Sequence, residues 1–291
     1  MNYYIILLIL IIFNIFKKIL YILMSHCPDY LISKKDVNLR MFKENKIALI
    51  IPITSNNKEF NNIEEIDFIK IFLASFLKTY DTSNKYEYTF YLGYDHDDKY
   101  YLKNLEKLKI YFKNLKKQNF KFKFISIYNK KGHLSQIWNI LCKKAIDDNN
   151  DYIYQLGDDI EFYTSGWENL FISHLLNNDN IGVIGPLDRN NPYLLTQSFV
   201  HKTHYKIFNY YFPKEIKNIS VDNWIENIYK KNIFSKNKNR CFKIEEIEIS
   251  NKLQQRRYKE EKIYIVITYY LYNLLKGKKI LNTYLKNNNL Q

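Results

Sequence analysis

Residues 152–162, YIYQLGDDIEF, decide how this chain is read. Tyr152–Leu156 is apolar and strand-like, Gly157 breaks it, and Asp158 and Asp159 follow at once, with Glu161 two residues on. A strand buried on both faces of a parallel sheet stays apolar until it reaches the surface. In an open α/β sheet, ligands bind at the carboxyl ends of the strands. Carboxylates at that edge, without His or Cys beside them, are hard oxygen donors suited to Mg²⁺ or Mn²⁺ better than zinc. The structural alternative is a turn in which an Asp caps the next helix. The rest of the chain decides between them.

Upstream lie three strand–helix units. Ile47–Ile53 (IALIIPI) reads as a buried first strand, with the polar loop 54–57 after it. Apolar residues at helical spacing predict a helix over Ile63–Tyr80, and Tyr86–Gly93 alternates as a second strand that ends in Tyr94-Asp95-His96-Asp97-Asp98. A lysine-laced helix over Tyr101–Leu115, a third strand over Phe120–Tyr128 and a helix over Leu134–Ile146 complete the series. This alternation is the signature of a parallel sheet with right-handed crossovers, so the two acidic strand ends belong on one edge. No glycine-rich G-x-G-x-x-G or G-K-S/T loop follows the first strand, which argues against a dinucleotide or P-loop site.

Downstream, Gly166-Trp167 opens a helix over Glu168–Leu176, and Ile181–Ile184 is a fifth strand closed by Gly185-Pro186. A loop is expected over Asn190–Ser198, helices over Phe199–Tyr210 and Val221–Tyr229, and a late strand over Cys241–Ile249. Ile263–Leu275 is an apolar, tyrosine-rich helix expected to pack on the sheet or lie on a membrane.

With 291 residues, 46% of them hydrophobic, the chain can bury one substantial core. The formal charge of +14 invites a nucleic-acid reading, but arginine is confined to Arg40, Arg189, Arg240, Arg256 and Arg257. The lysines are spread out with no arginine–aromatic block, and the abundance of Asn, Ile, Tyr and Phe points to coding bias, so no nucleic-acid partner is expected. Cys27, Cys142 and Cys241 show neither zinc nor disulfide spacing, which favours a reducing, cytoplasmic compartment. Tyr3–Phe16 is apolar except Asn14, and Ile19–Met24 resumes the run after Lys17 and Lys18. Fourteen residues fall short of the roughly 20 that span a bilayer, so residues 3–24 read as a membrane-anchoring or interfacial segment.

The order of these pieces resembles the GT-A glycosyltransferases, the family-2-like group in particular. The residues that carry it are IALIIPITSN (47–56), the acidic end at Asp95, Gly132-His133 before a helix with Asn139, and GDDIEF (157–162). Gly166-Trp167, TQSFVHKTHYKIF (196–208) and VDNWIENIY (221–229) follow in order. The late segment resembles uncharacterised eukaryotic and large-virus glycosyltransferase-like proteins. The resemblance implies a Rossmann-type, mostly parallel sheet flanked by helices, with a C-terminal acceptor-side extension. On this reading residues 1–24 are the hydrophobic segment, 25–45 a linker, 46–250 the glycosyltransferase-like domain and 251–291 a helical tail.

It also implies transfer of a sugar from a nucleotide-sugar donor to a glycan, protein or lipid acceptor, assisted by Mn²⁺ or Mg²⁺. Asp159 is the expected metal ligand, with His204 a further candidate, and Asp158 the ribose or outer contact. Glycine at 157 replaces the first carboxylate of a strict Asp-x-Asp. Pro52, Thr54 and Asp95 are expected at the base and ribose, and Gly132 where a helix start presents backbone N–H groups to the nucleotide. Asp222 is the candidate base for inverting transfer, and an Asp there also serves as a helix N-cap. Trp167, His201 and Trp224 are candidates for the acceptor side, the tryptophans equally readable as core aromatics. A non-catalytic nucleotide-sugar or glycan binder of the same fold is the alternative.

Overall fold

The structure is a computed structural model that describes residues 31–40, 43–83, 85–115, 119–128, 132–231, 238–253 and 263–290. The expected anchor at 3–24, Cys27 and most of the expected linker's first part lie outside the described residues.

The first strand of the expected series, β2 (Lys46–Pro52), follows a short edge strand, β1 (Leu31–Ile32), which forms inside the stretch read as linker. β2 pairs in parallel with β3 (Glu87–Asp95) and with β5 (Tyr152–Gln155), and β3 pairs in parallel with β4 (Phe120–Ile127). Period-two alternation sends successive residues of the central strands β2, β3 and β5 into opposite core layers, so they are almost wholly apolar, whereas the edge strand β4 alternates Phe120, Phe122 and Phe124 with exposed Lys121 and Lys123. Ile47, Leu49 and Ile51 enter one core layer, while Ala48 and Ile50 enter the other. Tyr88, Phe90, Tyr152 and Tyr154 join the first layer, and Tyr91 and Ile153 the second.

Beyond β5 the sheet is mixed. β8 (Ser198–His201) pairs antiparallel with β5 and with β7 (Val183–Asp188), and β7 runs parallel to β9 (Cys241–Asn251). The resulting order is β1-β9-β7-β8-β5-β2-β3-β4, with β6 (Ile160–Phe162) antiparallel to β9. The mostly parallel, helix-flanked α/β sheet expected from the sequence is present.

The helix expected over Ile63–Tyr80 is broken into a 3₁₀ turn at Ile63–Glu65 and a π-helical stretch, Phe68–Leu73, that continues into α1 (Ala74–Thr79). Four more elements match their expected positions: α2 (Lys99–Asn114), α3 (Leu134–Asp147), α4 (Trp167–Asn177) and, after α5 (Thr203–Phe208), α6 (Val221–Tyr229). α7 (Ile263–Asn287) runs a dozen residues past its expected end and packs on α5 and α6.

The stretch Phe199–Tyr210 departs from the helical expectation. Ser198–His201 is a strand, and only Thr203–Phe208 is helical. All four strand residues are buried, and pairing with β5 supplies backbone partners that outweigh a local helical spacing. Likewise Gly185-Pro186 does not close the fifth strand, which continues to Asp188. β6 was not expected at all: the Phe162 N–H donates to Ser75 Oγ at 3.0 Å, which ties this short strand to α1.

Candidate functional site

The carboxyl edge of β2, β3 and β5 opens into a cavity of about 390 Å³. Pro52, Thr54, Asp95, Asp158, Asp159 and Asp222 all line it, although they come from four separate stretches of chain. Parallel pairing explains the first five. Pro52 stands opposite Gly93 and Ile50 opposite Gln155, so the three strands end at one level and release their next residues into one space.

The acidic end of β3 divides its labour. Asp95 faces the cavity. Asp98 is the N-cap of α2, where Oδ1 accepts from the Tyr100 and Tyr101 N–H groups at 3.1 and 3.3 Å. Its carboxylate also accepts from the Ser55 N–H at 2.9 Å and the Ser55 hydroxyl at 2.6 Å, fixing the loop after β2.

Asp158 and Asp159 are 1% and 8% exposed, so both carboxylates sit at the cavity wall with little bulk water around them. The Gly157 N–H donates to Gln197 Oε1 at 3.2 Å, and the Lys252 N–H donates to the Asp159 carbonyl at 3.1 Å, which holds the turn on both sides. A Cβ at Gly157 would lie 2.9 Å from Asp159 Oδ1, so the glycine leaves the space in which that carboxylate rests. Glu161 is directed elsewhere. It pairs with Lys252 at 2.6 Å and accepts from the Tyr163 hydroxyl, and those partners hold its carboxyl below the usual range.

Asp222 enters from the first turn of α6. Burial pushes its carboxyl up to about 8, with the nearby charges of Glu226 and Asp188 adding to the effect. Ser220 holds the N-cap position in a left-handed conformation and makes no side-chain cap, and Asp222 lies inside the helix at its start. Asp188 is itself fixed, accepting from Thr196 Oγ1 at 2.8 Å and from the Asn190 N–H at 3.0 Å.

The other candidates lie away from this cavity. His201 is carried by antiparallel β8 to the level of Tyr152, three residues or about 10 Å from the carboxyl edge. There its ring nitrogens meet Thr203 Oγ1 at 2.7 Å and Glu44 Oε2 at 3.1 Å. His204 is buried between the Tyr229 hydroxyl at 2.9 Å and the Tyr211 carbonyl at 3.0 Å, and burial lowers its pKa to about 4. Both its nitrogens serve the core rather than a metal. Trp167 is fully buried against Phe76, Tyr154 and Phe171, and Trp224 is fully buried with its indole N–H donating to the Asn273 carbonyl at 3.2 Å. Gly132 (φ 90°) makes the turn before α3 and is not in the cavity wall; one N–H of that helix start, Ser135, is taken by the Lys217 carbonyl at 2.9 Å. Asn139 braces the chain at Tyr211 and Phe212 through three hydrogen bonds of 2.7 to 2.8 Å.

Several lining residues escaped the sequence reading: Gln155, Asn191, Asn218 and Asn251. Gln155 had a visible signal, as the one amide in an otherwise apolar and aromatic strand; it accepts from the Ser198 hydroxyl at 2.9 Å. The three asparagines had none in so asparagine-rich a chain. Trp138 and Ile137 supply an apolar wall, with the Trp138 indole N–H donating to the Leu156 carbonyl at 3.3 Å. Among the described residues, no group of three or more His, Cys, Asp or Glu side chains is arranged to hold a metal ion alone. A pair of adjacent buried carboxylates, Asp158 and Asp159, remains at the wall, hard oxygen donors of the type that could contribute to a Mg²⁺ or Mn²⁺ site.

The chain matches no protein-family model and no curated protein. Among solved structures it is similar to S. aureus TarS, at 14% identity over 82% of this chain and 43% of that one, with a TM-score of 0.49. It is also similar to S. aureus TarS 1-349 in complex with UDP, at 14% identity over 70% of this chain and 60% of that one, with a TM-score of 0.47. The chain therefore spans less than two thirds of either structure.

Proposed function

We propose that this chain is a glycosyltransferase that takes a sugar from a nucleotide-sugar donor, with the cavity at the carboxyl edge of β2, β3 and β5 as its donor site. The observation that carries the reading is convergence: Pro52, Thr54, Asp95, Asp158, Asp159 and Asp222 line one cavity. In this reading Pro52, Thr54 and Asp95 receive the nucleoside, the Asp95 carboxylate accepting from a base N–H. Asp158 contacts the ribose or the outer shell, and Asp159 reaches a divalent cation, Mn²⁺ or Mg²⁺. When bound, that cation supplies Lewis-acid stabilisation to the departing diphosphate.

Asp222 takes the proton from the acceptor hydroxyl at its carboxylate. A base works best with a pKa near the operating pH, and the cavity wall has moved this carboxyl into that range. Proton removal by a side chain of the protein, with no second carboxylate assigned as nucleophile, favours inversion at the anomeric carbon. The acceptor is a hydroxyl on a glycan, protein or lipid.

The deciding experiment is a donor-hydrolysis screen over several nucleotide sugars with Mn²⁺ or Mg²⁺, comparing wild type with Asp159→Ala. The expected result is turnover that chelation abolishes and that the variant loses by about a hundredfold or more. Equal turnover in the variant removes the metal role. One observation favours a second reading, a donor-binding relative without turnover: position 157 is a glycine where a strict Asp-x-Asp has its first carboxylate. Saturable donor binding by calorimetry with no hydrolysis of any donor would establish that reading instead.

A further inference from the structure

α7 presents a face that the donor cavity does not use. Its inner side is anchored by Val266, Tyr270, Leu281 and Leu285, all buried. Its outer side exposes Tyr269 (41%), Tyr272 (60%) and Leu275 (72%), spaced by three residues and so stacked along one stripe. The same stripe continues through exposed Lys276, Lys279 and Lys286. The helix contains four lysines and no Asp or Glu. The fourth, Lys278, is turned inward to donate to the Lys230 carbonyl at 2.7 Å.

Beside the stripe, a groove of about 480 Å³ runs between α3, α5 and α7. Lys143, Lys144, Lys214 and Lys276 line it, against one acidic lining residue, Glu215. Lys143 also pairs with Asp147, one turn along α3. Exposed aromatic and leucine side chains in line with lysines, next to a lysine-lined groove, form an amphipathic surface of the kind that lies in a bilayer interface. Tyrosine is at home there, with its ring among the acyl chains and its hydroxyl at the headgroups.

We propose that this face of α7 is a peripheral docking surface for an anionic lipid bilayer. Tyr269, Tyr272 and Leu275 enter the headgroup boundary, and Lys276, Lys279 and the groove lysines meet the lipid phosphates. A second copy of the chain is a poorer occupant, because a two-fold interface would set this acid-free, lysine-bearing face against itself. The helix lies on the membrane and does not cross it: among the described residues no helix is long and apolar enough to span one.

The test is vesicle co-sedimentation of the full chain, with phosphatidylcholine vesicles and with vesicles that also contain phosphatidylglycerol, at low and high salt. The expected result is preferential binding to the anionic vesicles that weakens with salt. Tyr272→Ser with Leu275→Ser, and Lys276→Glu with Lys279→Glu, should each weaken that binding by about tenfold or more. All four side chains are exposed, so the double variants should keep the wild-type melting curve. On the unaltered chain, hydrogen exchange over residues 269–279 should slow when anionic vesicles are added. No slowing of exchange over residues 269–279 on anionic vesicles, or binding to them that both double variants leave unchanged, would overturn the proposal. So would a concentration-dependent dimer that the double variants abolish, since the face would then belong to a second copy.

Discussion

In its proposed role as the base, Asp222 is the residue at which stability and chemistry pull in different directions. Its carboxyl is pushed up to about 8 from a usual value near 4, so the fold favours the protonated form. A group raised in this way contributes stability that is complete below its unfolded pKa and is lost as pH rises through its folded one. Ionised Asp222 therefore weakens the fold, yet the ionised form is the one a base must use. Asp222→Asn should lower sugar transfer by about 10²- to 10⁴-fold. It should also melt no lower than wild type at pH 8, where the native carboxylate is charged. In the wild type the transfer rate should rise with pH up to about 8 and then level off, and initial rates across a pH series read this directly. A variant that keeps wild-type transfer would assign the base elsewhere.

At the scale of elements, α6 sets where Asp222 stands, and α7 sets where α6 stands. Gly277 of α7 sits against α6 so closely that a Cβ would lie 2.6 Å from Ile228 Cδ1 and 3.2 Å from Trp224 Cζ2. Trp224 and Ile228 are fully buried, so α6 has no room to retreat. Gly277→Val should cost about 1–3 kcal/mol in denaturant unfolding. It should slow transfer more than it weakens donor binding, because it displaces the helix bearing Asp222 and leaves the ends of β2, β3 and β5 in place. Equal losses in both would mean that the helix pair does not position the site separately. The elements also mark where sequence periodicity misleads. Phe199–Tyr210 has helical spacing, yet its first three residues belong to β8, because a gap beside β5 offered backbone partners to any apolar segment that could reach it.

For the whole molecule, buried titratable groups shape the response to pH. Glu168 is fully buried under the sheet; its Oε1 accepts from the Asp81 N–H at 2.9 Å and the Tyr88 hydroxyl at 2.8 Å. Burial nevertheless raises it to about 7. His174 and His204 are lowered to about 4 by burial, so their contribution is present above their unfolded pKa and lost as pH falls toward 4. Between about pH 6.5 and 8 the raised carboxyls Glu168 and Asp222 should make wild-type stability decline, while above about pH 8 the buried Lys243 and Lys278, lowered to about 8, act in the opposite direction. Relative to wild type, Glu168→Gln should gain about 3 kcal/mol between about pH 4.5 and 7.5. Urea unfolding at both pH values measures it, and a pH-independent difference would exclude Glu168 as the responding group. The sequence by itself determined the parallel core and its acidic rim, since strand alternation and crossover order are short-range patterns that burial on both faces enforces. Asp95, Asp158 and Asp159 were legible because each ends an apolar strand. Only the tertiary structure decided that His201 lies at the far end of β8, that His204, Trp167 and Trp224 fill the core, and that Gln155 and Asn251 share the cavity. Those outcomes depend on which distant segment pairs with which, and a linear pattern does not carry that information.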